Sequence, residues 1–217
     1  MADALRDLLE LSVVVDPTYD QNCYVLHRRD SDAAMVVDPG LQQVRALQLL
    51  EDNSWRCERI LLTHGHGDHV NGVPGVVAVH QCPVALHPAD REQLMSMRFL
   101  PGIPQDTPDV QVDEDLDDGQ VIDWHGLSVG VVHTPGHTRG SVCFLLGTDL
   151  ISGDTLFARG VGRADLPGGN WQQLMASIEQ RLYALPADTV VYPGHGRSTT
   201  IAQEMESNPF IVHPRYR

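Results

Sequence analysis

The segment Thr63-His64-Gly65-His66-Gly67-Asp68-His69 sets three imidazoles and a carboxylate within seven residues, directly after the apolar run Ile60-Leu61-Leu62. Residues two apart in an extended chain point to one side, so His64 and His66 can converge on one cation just past a strand end. Gly65 and Gly67 let the backbone turn there, which offers Asp68 and His69 to a second cation. With 11 histidines in 217 residues, a chain of this composition would hold H-x-H-x-D-H by chance in about three cases per thousand. A metal site is therefore a stronger reading than a solvated polar loop.

Three other fragments share one design, a β run ending in a glycine-containing turn with one side chain able to bind metal. They are Thr134-Pro135-Gly136-His137-Thr138, Ser152-Gly153-Asp154-Thr155 and Tyr192-Pro193-Gly194-His195-Gly196. Each alone is weak, since a lone loop histidine is commonly just solvated. Together they supply what a pair of divalent cations still needs. The expected assignment gives His64, His66 and His137 to one ion, Asp68, His69 and His195 to the other, and Asp154 to both. All seven donors are N or O and none is sulfur, which suits two divalent ions, zinc ahead of iron or manganese.

Strands have to carry these turns. Ser12–Val15, Asn22–His27, Ala33–Val37, Ile60–Thr63, Val76–Val79 and Val84–Leu86 read as strands in the first part of the chain. Leu41–Asp52 has helical spacing, and a second helix is expected from Ala89 to about Met97. Phe99–Asp118, rich in Pro and Asp, reads as the least structured stretch. Val121–Trp124 and Leu127–Val132 flank His125-Gly126, a hairpin signal. Val142–Leu145, Leu150–Ile151 and Val190–Tyr192 continue the β pattern. Asn170 reads as the N-cap of a helix with Trp171, Leu174, Met175, Ile178 and Leu182 on its core face. Ile201–Ser207 reads as a short helix. Strands and helices intermingle throughout, which implies a layered α/β architecture.

Composition removes several classes. Fifteen basic residues, all arginine, against 29 acidic ones give a net charge of −14, so nucleic acid is not an expected partner. No apolar run approaches the roughly 20 residues of a membrane span, so no membrane is expected either. The N-terminus lacks a basic and then apolar leader pattern. Cys23, Cys57, Cys82 and Cys143 form no C-x-x-C pair and read as reduced, buried thiols of a cytoplasmic protein.

On the four metal-binding fragments, the chain resembles the metallo-β-lactamase superfamily. Within it the chain is similar to the short bacterial form of glyoxalase II, the hydroxyacylglutathione hydrolases. Val36-Val37-Asp38-Pro39-Gly40, Gly153-Asp154-Thr155-Leu156-Phe157, Gly160–Asp165 and Asn208-Pro209-Phe210 support the likeness. The resemblance implies an αββα four-layer sandwich forming a single domain over residues 1–217, with a dinuclear site at one edge of its two sheets. It also implies hydrolysis of a small thioester of the S-2-hydroxyacylglutathione type, such as S-lactoylglutathione. Full-length glyoxalase II enzymes carry a further helical region that helps hold glutathione partly through lysines, and this chain has no lysine.

The chemistry expected of such a site follows from its charge. Water shared by two cations ionises near neutral pH and can attack a carbonyl that one ion polarises, while the other stabilises the departing thiolate. Asp68 and Asp154 are the catalytic carboxylates in this reading, Asp68 as a ligand that orients the nucleophile and not as a free base. Asp38, Thr63, Thr134, Thr138 and Ser141 are candidates to brace the ligands, Asp38 by accepting an imidazole N–H. Arg159 and Arg163 follow Asp154 closely and could clamp a substrate carboxylate, with an Arg163–Asp165 ion pair as the alternative. Asn208-Pro209-Phe210 and Trp171 read as packing elements. Two other readings stay open at this point: a persulfide dioxygenase with a single iron on the same motif, and a non-catalytic metal-binding scaffold. Class B β-lactamases are set aside because they are exported and use a cysteine ligand where Asp154 stands. Superfamily nucleases are set aside on charge and length, and flavo-diiron proteins because they have Glu where His66 stands.

Overall fold

The structure is a computed structural model that describes residues 8–96 and 109–211. It divides into two compact units at the Leu116–Asp117 junction.

The first unit runs β1 (Leu9–Asp16), β2 (Gln21–Arg28), β3 (Ala33–Val37), α1 (Gln43–Asp52), β4 (Arg56–Leu61), α2 (Gly67–Val70), α3 (Val73–His80) and β5 (Val84–Leu86), followed by a 3-10 turn (Pro88–Asp90), α4 (Arg91–Ser96) and β6 (Glu114–Asp115). The six strands form one sheet in sequence order. β1, β2 and β3 pair antiparallel, and β3 to β6 pair parallel, so β3 and β4 end at the same edge. One face of the sheet, with Cys23, Val25, Ala34, Val36, Ile60, Leu62, Val84 and Leu86, packs in a single core with Ala46 and Leu50 of α1 and Val73 and Val76 of α3. The β3–β4 register slips between Ala34 and Met35. That bulge turns Cys57 to the same core as Ile60, three residues on, where strict alternation would oppose them.

Val76–Val79, expected as a strand, lies inside α3. Pro74 sits in the first turn, where its missing N–H costs nothing, and Gln81 ends the helix in the left-handed region. Val73 and Val76 are buried three residues apart while Val79 is 63% exposed, so burial of one helical stripe overrides the β preference of valine. The expected helix from Ala89 appears as the 3-10 turn plus α4, and its predicted end at Met97 lies outside the described residues. In the stretch read as unstructured, residues 99–108 are likewise outside them, and Glu114–Asp115 forms β6 beside β5.

The second unit runs β7 (Val121–Trp124), β8 (Leu127–His133), β9 (Val142–Leu146), β10 (Asp149–Gly153), β11 (Leu156–Phe157), β12 (Gly160–Val161), α5 (Trp171–Ser177), a π turn (Ile178–Leu182), β13 (Val190–Pro193), β14 (Thr199–Thr200) and α6 (Ile201–Ser207). Its six-stranded sheet is ordered β14-β13-β10-β9-β8-β7, and β11 and β12 make a separate small hairpin. His125 and Gly126 both take positive φ, 52° and 82°, which is the turn the β7–β8 hairpin signal demands. The Asn170 side chain caps α5 by accepting from Gln173 N–H at 3.0 Å. Leu174, Ile178 and Leu182 fill the core with Leu150, Val191 and Ile201. Trp171, expected in that core, is 46% exposed and stands edge-on to Phe210 at 6.2 Å. By spacing it shares the face of Leu174 and Ile178, three and seven residues on, but at the first helical position its ring lies beyond the core, against Phe210. Among the described residues no helix is long and apolar enough to cross a membrane.

Candidate metal centre

In the first unit β3 and β4 deliver Asp38 and Thr63-His64 from neighbouring parallel strand ends, the edge where α/β sheets place ligands. Asp38 is buried at φ 51°. Its Oδ1 accepts from Thr63 N–H at 2.8 Å and its Oδ2 from Thr63 Oγ1 at 2.6 Å. The same Oδ2 lies 2.9 Å from His69 Nδ1. Thr63 Oγ1 spends its one hydrogen on Asp38, so at 3.0 Å from His64 Nδ1 it accepts from that ring. Both rings therefore carry hydrogen on Nδ1 and keep a lone pair on Nε2. Asp68 and His69 sit on the short helix α2, with Asp68 Oδ2 3.8 Å from His69 Nε2. One donor atom each from Asp38, His64 and His69 lies within 4.8 Å of the others.

His64 Nε2 faces His66 Nδ1 at 3.1 Å. On its far side His66 Nε2 meets the Gln93 side-chain nitrogen at 3.1 Å. In that orientation Gln93 donates to His66, which places the ring hydrogen on Nδ1, between the two histidines. Turning the amide over would let Gln93 accept from Nε2–H and free Nδ1. Gly65 N–H donates to the buried Asp90 at 2.9 Å, pinning the loop between the two histidines.

In the second unit the three expected ligands leave strands that run the same way. His137 follows β8, Asp154 follows β10 and His195 follows β13. A register slip between Ile151 and Gly153 immediately precedes Asp154, a common device for re-aiming a side chain. Asp154 Oδ2 stands 3.5 Å from His137 Nε2 and 3.4 Å from His195 Nε2. His137 Nδ1 lies 2.7 Å from the Arg163 carbonyl, which can only accept, so its Nε2 too keeps a lone pair. His137 and Asp154 are buried, and His195 is 24% exposed with the Phe157 ring beside it.

These spacings fit a cation. Two N or O atoms each about 2.1 Å from one tetrahedral ion lie about 3.4 Å apart, against 3.1, 3.5 and 3.4 Å for the His64–His66, His137–Asp154 and His195–Asp154 pairs.

Two glycines make the supporting loops possible. A Cβ on Gly40 would stand 2.0 Å from the Asp68 carbonyl oxygen, and one on Gly162 would stand 1.8 Å from that of Asp154 and 3.1 Å from His137 Nδ1. The Asp38-Pro39-Gly40 and Gly160–Asp165 stretches thus press backbone directly against residues carrying the expected ligands.

The metallo-beta-lactamase superfamily profile matches residues 16–195, through both units. The chain belongs to the metallo-β-lactamase superfamily. The mixed α/β class and the fold expected of that superfamily are both met, with two large sheets and their helices. The chain is 31% identical to the hydroxyacylglutathione hydrolase GloC of Haemophilus influenzae, over 94% of this chain and 98% of that protein. Among solved structures it is similar to BLEG-1, a B3 metallo-beta-lactamase, at 35% identity and a TM-score of 0.85 over 94% and 99% of the two chains. It is also similar to TTHA1623 in a di-iron-bound form, at 35% identity and 0.81 over 92% and 100%. ETHE1 from Myxococcus xanthus aligns at 28% identity and 0.78 over 94% and 84%. The BLEG-1 match extends the likeness to a protein named as a β-lactamase, a class the sequence argument sets aside.

The remaining expected residues fall elsewhere. Thr138 hydrogen-bonds Ser141 at 2.7 Å between side chains, and Thr134 bonds Thr155 at 2.8 Å, so both brace the ends of the His137 loop. The Arg163 guanidinium forms a two-pronged pair with Asp165, at 2.9 Å on each prong, on side chains 67% and 69% exposed. Its backbone, not its charge, reaches His137. Arg159 is exposed at φ 59°, its N–H held by Glu204 at 2.8 Å. Asp90, Gln93 and the Arg163 carbonyl were not found from sequence. Asp90 carried a faint signal, an acidic residue two past a proline just after a strand, and Gln93 carried none.

Proposed function

We propose that the chain is a dinuclear metallohydrolase that cleaves a small thioester of the S-2-hydroxyacylglutathione type. The observation that carries this is the GloC match, which runs through 98% of a hydroxyacylglutathione hydrolase with no further region to account for. In this reading the two units act as one domain over residues 1–217. His64, His66 and His137 hold one divalent cation, Asp68, His69 and His195 the other, and Asp154 both. The donor chemistry suits zinc ahead of iron or manganese, and the di-iron form of TTHA1623 supports a pair of ions.

Bound cations would supply Lewis acidity, which acidifies water and polarises a carbonyl. The protein's own groups do the rest. Asp38 and Thr63 hold His69 and His64 in the tautomer that presents Nε2. The Arg163 carbonyl does the same for His137. The Asp68 carboxylate orients the attacking water, and Arg159 is the candidate to meet a substrate carboxylate. A thiolate leaves without needing a protein acid, because its conjugate thiol is already acidic compared with an alcohol.

The test is metal quantification on the native protein, paired with turnover of S-lactoylglutathione. About two ions per chain and thioester hydrolysis that His66→Ala and Asp154→Ala abolish are the expected results. The ETHE1 likeness favours a second reading, a persulfide dioxygenase. One iron per chain with sulfite formed from glutathione persulfide would establish it. Hydrolysis of a β-lactam without thioester turnover would move the assignment toward BLEG-1. A metal-replete protein inert on all three would leave the scaffold reading.

A further inference from the structure

Cys57 and Cys82 come from β4 and the loop before β5, and their sulfurs stand 3.6 Å apart within the first unit's core. The β4 bulge that turns Cys57 inward creates this approach. Both residues are buried, at 0% and 5% exposure, yet Cys82 lines a cavity of about 690 Å³ with Val73, Val77, Val84, Val110 and Asp113. The Cys57 S–H points to the Arg59 carbonyl at 3.4 Å, and the Cys82 S–H points to Cys57. When Cys82 ionises, a hydrogen bond from Cys57 holds it below the ordinary thiol range and pushes Cys57 upward. Cys23 and Cys143 have no such partner sulfur, and burial raises both, aided at Cys23 by the Asp38 charge and taking Cys143 to about 11. The thiolate is the nucleophile, so the four thiols are unequal.

We propose that Cys57 and Cys82 form a hydroperoxide-reactive dithiol, with Cys82 the site of attack and Cys57 the resolving group. The Cys82 thiolate attacks the terminal oxygen of a hydroperoxide, the O–O bond breaks, and the alkoxide leaves and takes a proton. Cys82 becomes a sulfenic acid. That removes the thiolate that held the Cys57 hydrogen, so Cys57 can lose its proton and attack the Cys82 sulfur. The S–S bond forms and water leaves. Two thiols and one hydroperoxide give one disulfide, one alcohol and one water. The apolar cavity wall selects an alkyl hydroperoxide over hydrogen peroxide.

The experiment treats the reduced full chain with cumene hydroperoxide and, separately, with hydrogen peroxide. The expected product is lighter by two hydrogens, has the tryptic peptide Cys57–Arg59 joined to Ile60–Arg91, and reverts with dithiothreitol. Cys57→Ser should trap Cys82 as a dimedone-reactive sulfenic acid, and Cys82→Ser should leave Cys57 reduced. Cumene hydroperoxide should react severalfold faster than hydrogen peroxide once each is scaled to its rate with glutathione. A link to Cys23 or Cys143, or Cys82 still reduced at doses that oxidise glutathione, would overturn the dithiol. Equal scaled rates would overturn entry through the cavity. The wild-type peptide map decides the linkage even where a serine variant does not fold.

Discussion

The two units solve one problem, fixing imidazoles for a cation, with different materials. In the first, side chains do the fixing: Asp38 and Thr63 hold His69 and His64, and Gln93 meets His66. In the second, backbone does it: the Arg163 carbonyl holds His137, and Gly162 packs on the Asp154 carbonyl. Side-chain braces can be deleted one atom at a time. A backbone brace can be broken only by moving the chain, so the first unit should show graded effects and the second should fail abruptly.

The largest break in the first unit is Asp38→Ala. It leaves Thr63 N–H, Thr63 Oγ1 and His69 Nδ1 buried without their acceptor, at a cost of about 3–5 kcal/mol. Denaturant unfolding should register that loss, and metal analysis should show depleted ions. Asp38→Asn keeps the shape and tolerates the positive φ, so its effect isolates the proton pattern: about 10–100-fold weaker metal binding with most of the stability retained. In the second unit Gly162→Ala must displace the loop from the Asp154 carbonyl, 1.8 Å from the new atom, costing about 1–3 kcal/mol and emptying the metal position proposed for Asp154. If Gly162→Ala proves milder than Asp38→Asn in metal content, the contrast between the units fails.

A finer cut is Gln93. Gln93→Leu removes the contact to His66 Nε2 and with it the acceptor that the turned-over amide offers to Nε2–H, so metal affinity should fall about 10-fold in a chelator competition while the unfolding midpoint moves little. Gln93→Glu, which can only accept, should restore affinity by holding the hydrogen on Nε2. Equal loss in both variants would mean that Gln93 matters for packing alone.

The same contrast explains what was legible in the sequence. The expected ligands of the first unit stand within six residues of one another, so their pattern could be weighed against chance; those of the second lie on three turns 17 and 41 residues apart and gained meaning only together. Strands such as Ala33–Val37 and the α6 helix matched their expected bounds, because an unbroken apolar run ending at Asp38-Pro39-Gly40 and a capping residue mark them locally. Val76–Val79 misled, since valine's β preference is local while the burial that overrides it is tertiary. Gln93 and the Arg163 carbonyl were invisible for a deeper reason. An ordinary glutamine on a surface-patterned helix has no signature, and a carbonyl oxygen has no sequence at all.

The smallest expected effect lies at His133, the last residue of β8 and four residues before His137. Asp118 accepts from His133 N–H at 2.9 Å and pairs with Arg181 at 2.7 Å, on side chains 46% and 40% exposed. The Arg181 hydrogen bond, aided by the His133 N–H, holds the Asp118 carboxyl below its ordinary range in spite of partial burial. A carboxylate whose folded pKa is depressed adds stability above its unfolded pKa of about 3.9, and that stability is lost as pH falls through the folded value. Arg181→Gln should therefore cost less than about 1 kcal/mol at pH 7, given the exposure. The difference from wild type should vanish in acid, where Asp118 is protonated folded or unfolded. Because backbone still anchors His137 at Arg163, metal content should stay unchanged. A loss of metal in Arg181→Gln would show that the second unit leans on side chains after all, and would erase the distinction drawn between the two.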